Sequence, residues 1–183
     1  MNKKGFTIFE VIVSVSIFAI AIVLAGSLYL LGQRSYNKGS AKAELSQNVR
    51  VTLDRISREL RQTLNIVTAI PETENDPPAE EIFFQDGHDI SRITYIRYYL
   101  NETDLMRQTK AYYFATEPAT YVAYNSLDQN GNLPLSTILS DNIVGEYFNK
   151  FEFWGTNGLL NITAGLNKSQ SSVEITTDIY KRN

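Results

Sequence analysis

Three patterns of apolar and polar positions follow one another along the chain. From Val11 to Leu31 there are 21 consecutive residues without a charge. At 1.5 Å per residue, a helix of that length spans roughly 30 Å, the thickness of bilayer hydrocarbon. Farther on, apolar residues recur at Leu45, Val49, Leu53, Ile56, Leu60, Leu64 and Val67. These steps of four and three predict an amphipathic helix, with Pro71 as its latest end. On its polar face, Asp54 with Arg58 and Arg55 with Glu59 are spaced to pair one turn apart. Gly26, Gly32 and Gly39 are the points where the combined helical stretch would soften.

Past Pro71 the helical period disappears. Residues 71–81, PETENDPPAEE, combine proline and acid without apolar periodicity and predict an exposed loop. Short strands are expected at Ile82–Phe84, Arg92–Leu100, Leu105–Tyr113, Tyr121–Tyr124, Tyr147–Trp154 and Ser172–Tyr180, with a turn at Asn101–Asp104. In the last strand Val173, Ile175, Thr177 and Ile179 alternate with Glu174, Thr176 and Asp178, so one face is buried and the other wet. The expected fold class is α+β: a long N-terminal helix, membrane-spanning and then amphipathic, packed on an antiparallel meander. The corresponding organisation is 1–5, a short basic leader; 6–33, the spanning helix; 34–70, its amphipathic second half; and 71–183, a β head that opens with the acidic loop.

Composition narrows the function. The 183 residues carry 17 basic and 20 acidic side chains, a net charge of −3, which argues against a protein whose affinity comes from neutralising phosphates. The distribution is uneven: residues 34–61 hold seven basic and three acidic side chains, and residues 62–183 hold eight and sixteen. Helix surfaces are ordinarily charged, which by itself accounts for the imbalance; alternatively, a basic rod surface meets the acidic head of an adjacent molecule, complementarity that would favour one docking register, and Arg50, Arg58 and Arg61 are the residues to reverse in testing it. There is no cysteine, so disulfides, thiolate metal sites and thiol catalysis are all absent.

Glu10 is the residue that changes the picture. A carboxylate at the start of an apolar span costs free energy and is retained for a partner or a function. Its context is Lys4-Gly5-Phe6-Thr7-Ile8-Phe9-Glu10, and the whole run reads GFTIFEVIVSVSIFAIAIVLA. This segment resembles the N-terminus of type IV pilin-like prepilins, including the pseudopilins of type II secretion and competence systems. It departs from them at Phe9, where a smaller aliphatic residue is usual. The resemblance implies cleavage between Gly5 and Phe6 by a membrane-embedded prepilin peptidase, methylation of the new α-amine on Phe6, and a filament-assembly role for Glu10. The implied partners are other pilin or pseudopilin subunits, that peptidase, an inner-membrane assembly platform with a separate ATPase, and membrane lipid before assembly. No cofactor is implied.

The physics of Glu10 stands beside the resemblance. An α-amine exposed at the end of a helix in apolar surroundings is cationic and needs a nearby acid to offset its desolvation. Glu10 can supply that charge within its own helix or to a neighbouring subunit. The basic residues on the two sides of the span, Lys3 and Lys4 against Arg34, Lys38 and Lys42, do not decide orientation. The five-residue leader is too short to be a domain, so the chain is expected to pass once with its head outside the cytoplasmic membrane; the resemblance implies the same, and later entry into a pilus or pseudopilus. A second resemblance lies in the head: a Tyr-rich strand, then DLMRQT (104–109), then DNIVGEYFNKFEFW (141–154) and a closing alternating strand are similar to the large J-type minor pseudopilins and related minor pilins. It implies a subunit that caps or initiates a fibre.

Other chemistry is sparse. His88, the single histidine, lies in the turn-like run Gln85–Asp89, and nothing in that run forms a strained nucleophile turn, so no hydrolase is expected. Asp128, Asn130 and Asn132 have the oxygen-rich look of a calcium loop, but glycine falls two places early and Leu139 stands where a bidentate acid belongs; a plain turn at Asn130-Gly131 fits better. Asn101, Asn161 and Asn167 begin N-x-S/T triplets, relevant only in a glycosylating host. The competing class of function is a membrane-anchored or secreted extracytoplasmic binding protein. For a secreted form, Ala19, Ala21, Val23 and Ala25 leave a small-residue site before Gly26, although the apolar core is longer than a signal peptide needs.

Overall fold

The computed structural model describes residues 5, 7–74, 76–89, 91–156, 158–169 and 171–180. The chain divides into two units, residues 1–41 and 42–183. Helix α1, Ile8–Gln62, runs from one into the other. It stays helical through Gly26, Gly32 and Gly39. In the first unit the side chains of residues 8–31 are all exposed. This helix is long and apolar enough to cross a membrane, by length and composition. The serines of its uncharged run add no unmet polar group: Ser14 donates to the Glu10 carbonyl at 2.7 Å, Ser16 to Ile12 at 2.8 Å and Ser27 to Val23 at 2.7 Å. Hydroxyls satisfied on their own helix cost little when water is excluded.

In the second unit the amphipathic stripe is buried as its spacing predicts. Leu45, Val49, Leu53, Ile56 and Leu60 are the apolar residues of α1 that enter the core, with Thr52 beside them. The helix stops at Gln62, nine residues before Pro71, so Leu64 and Val67 are not helical. The following run is β-branched (Thr63, Ile66, Val67, Thr68, Ile70), and a sheet edge captures its polar groups. Gln85 donates its N–H to the Asn65 carbonyl, Val67 and Thr68 donate theirs to Phe83, and Thr63 donates its hydroxyl to Gln85 at 2.7 Å. Gly87 seals the end of α1. A Cβ there would lie 1.7 Å from the Gln62 carbonyl oxygen, closer than any side chain can come.

Among the described residues the head holds eight strands in two antiparallel sheets. The first contains β1 (Glu81–Gln85), β2 (Thr94–Asn101), β3 (Asp104–Phe114), β4 (Glu117–Val122) and β5 (Leu135–Gly145), and the second contains β6 (Phe148–Thr156), β7 (Leu159–Lys168) and β8 (Ser171–Tyr180). The sequence predicts one meander, and the second sheet is one. The first is not, because β5 returns to pair with β3. Tyr112 and Tyr113 pair with both β4 and β5, and Arg107 with both β2 and β5. A strand has two edges, so β2 and β4 share one edge of β3 and β5 occupies the other. Strands β5 and β7 are absent from the sequence reading. β5 (LSTILSDNIVG) is mostly exposed and carries two irregularities of register, which erase its alternation. β7 is the central strand of its sheet and is buried on both faces over Ile162–Leu166, so it has no alternation to read.

One core joins α1 to both sheets: Leu45, Val49, Leu53, Ile56 and Leu60 pack with Ile82, Phe84, Ile96, Tyr98, Phe148, Phe151, Phe153, Ile162 and Leu166 among others. The sheets are also laced together by the acidic segment, where Gly155 donates to the Pro71 carbonyl at 2.8 Å and Ala79 bridges Phe153.

Candidate functional site

The N-terminal site is built on the first turn of α1. Thr7 is the N-cap, and Glu10 stands three residues on. The Thr7 N–H donates to Glu10 Oε2 at 2.9 Å, the Thr7 hydroxyl donates to the same oxygen at 3.0 Å, and the Glu10 N–H donates back to Thr7 Oγ1 at 3.3 Å. This is a capping box, which satisfies two of the N–H groups that a helix start leaves unpaired. The carboxylate also lies where the helix dipole favours negative charge. Among the described residues nothing donates to Glu10 Oε1, and Glu10 is exposed. Gly5 is exposed as well, with open space where a Cβ would be. Phe6 lies outside the described residues.

Sequence reasoning singles out Gly5, Phe6 and Glu10 as expected processing and assembly residues and gives Thr7 no part as helix cap. The T-x-x-E spacing directly before an apolar run was the signal available for it.

The head holds a second cluster that sequence reasoning misread. The spacing predicts Arg55 and Glu59 as a solvent-exposed pair. They do meet, at 3.4 Å, but Glu59 is only 11% exposed. Its carboxylate is turned inward, where Arg107 Nε donates to both oxygens at 3.1 Å and the Tyr98 hydroxyl donates to Oε2 at 2.8 Å. Arg107 also donates to Thr109 at 3.0 Å. Burial, together with the Glu59 charge, pushes the Tyr98 hydroxyl well above the usual tyrosine range. Burial works against the Arg107 charge, and the Glu59 hydrogen bonds and charge more than offset it, so its pKa rises. This cluster clamps α1 to β2 and β3, and its partners are 39 and 48 residues from Glu59 in sequence. No local pattern could reveal them.

The remaining candidates are turns. The Asp128 carboxylate accepts the N–H groups of Asn130 at 2.8 Å and Asn132 at 2.7 Å, and the Asn132 side-chain amide at 3.0 Å. Those bonds, led by Asn132, hold its pKa below the usual range. Gly131 takes a φ of 79° in the same turn. Asn130 and Asn132 therefore face Asp128 as donors. Among the described residues no group of three or more His, Asp or Glu side chains is placed to hold a metal ion. His88 is exposed on its turn, with Nδ1 2.7 Å from Asp86 Oδ1.

Residues 1–26 match the family model described as the prokaryotic N-terminal methylation motif. With the long apolar helix and the antiparallel head, the match supports a type IV pilin-like prepilin, and the motif implies processing by prepilin peptidase and assembly with other pilin subunits. The apolar helix and the motif are consistent with a membrane-anchored, structural protein. No curated protein and no solved structure matches the chain.

Proposed function

We propose that this chain is a minor structural subunit of a type IV pilus or of a type II secretion or competence pseudopilus. Prepilin peptidase cleaves it between Gly5 and Phe6, the Phe6 amine is methylated, and an assembly platform driven by a separate ATPase extracts it from the cytoplasmic membrane into a fibre, with the head extracytoplasmic throughout. The observation that carries this reading is the placement of Glu10. It is the one charge between Lys4 and Arg34, it lies inside the matched motif, and it stands on the first turn of an apolar helix whose side chains are exposed.

In the subunit alone, Thr7 stabilises the carboxylate. In the fibre, the remaining oxygen accepts the cationic amine of a neighbouring chain, which offsets the cost of carrying both charges into a packed apolar bundle and fixes the axial register. The driving force is replacement of lipid contacts by helix packing.

Two substitutions at Glu10 separate its roles. Glu10→Gln keeps a capping acceptor and removes the charge, whereas Glu10→Ala removes both. Both variants are expected to reach the membrane and to incorporate poorly into fibres, and Thr7→Ala is expected to be the milder change. Wild-type amounts of Glu10→Gln in purified fibres would end the charge-pairing account.

A further inference from the structure

An open sheet edge presents unpaired backbone N–H and C=O groups, and proteins blunt such edges with charge, proline or a covering segment. In the head, β1 is covered by the chain that follows α1: Gln85 donates to Asn65, and Val67 and Thr68 donate to Phe83. β6 is covered by the acidic segment at Pro71 and Ala79. β4 carries Glu117 and Pro118, and β8 exposes Glu174 and Asp178. β5 has neither proline nor cover, and its one charge is engaged within its own sheet. Asp141 accepts from Tyr99 at 3.0 Å and from Gln108 at 2.7 Å. Among the described residues β5 pairs with β3 alone; at its far end the Thr52 hydroxyl donates to the Val144 carbonyl at 3.3 Å.

The same segment is where the head leaves apolar side chains in water. Leu135, Ile138, Leu139 and Ile143 of β5 are exposed, as are Leu127 and Leu133 in the loop before it. The other exposed large apolar residues described in the head, Val51, Leu64 and Tyr180, are scattered. Six side chains of this size add up to several hundred Å², the scale at which an exposed patch marks an interaction site, and approach the ~800 Å² per partner of a standard interface. A register irregularity at Leu139 bends β5, but Leu135–Ile138 before it run regularly against Tyr113–Lys110.

We infer that the open edge of β5 takes up an extended strand of a different subunit of the fibre, one that is uncharged and apolar at alternate positions. The inference rests on the filament reading and adds the face of the head that meets the neighbour. Backbone hydrogen bonds along Leu135–Ile138 supply affinity, and the exposed leucines and isoleucines select the incoming side chains. Charge matching narrows the partner further: with Asp141 engaged, β5 offers no free charge, so a charged strand would lose water without gaining a counter-charge. A second copy of this chain is the poorer occupant. Its other edges are blunted, and β5 against β5 closes a two-fold dimer with no edge left for the neighbour that a minor subunit joins.

The test places the photo-cross-linker p-benzoylphenylalanine at Ile138, or at the exposed Ser172 of β8 as control, in the full-length chain expressed with its assembly machinery. Irradiated fibres are expected to join position 138, and not 172, to a different subunit, at an uncharged segment with apolar residues at alternate positions. In that product the amides of residues 135–138 should exchange more slowly than in the solubilised chain, which separates strand pairing from side-chain contact alone. Ile138→Lys should lower incorporation about tenfold or more by stranding a charge in the contact, and should leave head melting unchanged. Ile138→Thr, uncharged and suited to a strand, should incorporate nearly as wild type. Fibres that contain the chain but give no product from 138 above control, or amides that exchange no more slowly, overturn the contact and leave the filament reading standing. A product between two copies of this chain overturns the choice of partner. If the chain is not cut after Gly5 the filament reading falls, and the contact is then judged by the same cross-link in native membranes, where no product above control sinks it.

Discussion

Two stretches of the same helix solve the same problem in different ways. Residues 8–31 and residues 45–60 are both rich in apolar side chains, but the first are exposed all round and the second bury one stripe under their own head. A helix apolar on every side requires a surrounding that is not water, whereas one with a single apolar stripe needs only a sheet. The second stretch therefore belongs to the fold, and the first awaits a lipid or a partner. Substitutions should separate accordingly, with the melting temperature of the head reporting on one and incorporation into fibres on the other.

The largest effect on the head is expected from Ile56→Ala, which empties a fully buried position in the core shared by α1 and both sheets. It should cost about 2–5 kcal/mol in thermal or denaturant unfolding. By contrast, Val15→Ala, on the exposed stretch, should leave head stability within about 0.5 kcal/mol. Comparable losses from the two variants would erase the distinction.

Next comes the clamp. Glu59→Ala leaves Arg107, 17% exposed, without its counter-charge, and should cost about 2–3 kcal/mol, somewhat less than for a fully buried pair. Conversely, Asp54→Ala breaks only an exposed pair and should change stability by less than about 0.5 kcal/mol. A Glu59→Ala head that melts like wild type would show that the clamp contributes nothing to holding α1.

A subtler prediction concerns pH. Tyr98 has a raised pKa in the fold, so the folded state favours its protonated form. The stability it contributes is fully present below the unfolded tyrosine value of about 10 and is lost as pH rises above it toward the folded value. Head stability should therefore fall in alkali, and Tyr98→Phe should flatten part of that fall. An unchanged alkaline slope in Tyr98→Phe would remove Tyr98 from the explanation. The most local effect is expected from Thr7→Ala, which removes a helix cap worth about 1 kcal/mol and should loosen the first turn of α1, as read by amide exchange, without moving the head.

The contrast also explains what the sequence discloses. Both stretches of α1 are legible because they are local: one is a run without charge, the other a stripe repeating every three to four residues. Strands with one wet face are legible for the same reason, as in β8. What escapes is set by distance or by context. Strand β5 lies along β3 with an irregular register, β7 is buried on both sides, and the helix ends at Gln62 because a strand edge some twenty residues later takes up the next polar groups. The same division holds for the sites. Gly5, Phe6 and Glu10 lie in one short word, whereas Arg107 and Tyr98 reach Glu59 only through the folded sheet.

The central claim is that the apolar stretch is a processed assembly helix whose first acid serves a liberated amine. Intact mass and N-terminal sequencing of the chain, recovered from membranes and fibres of its host, test this most directly. The account predicts a mature protein that starts at methylated Phe6. Fibres built from chains that still carry residues 1–5, or a mature chain that starts at Gly26, would contradict it.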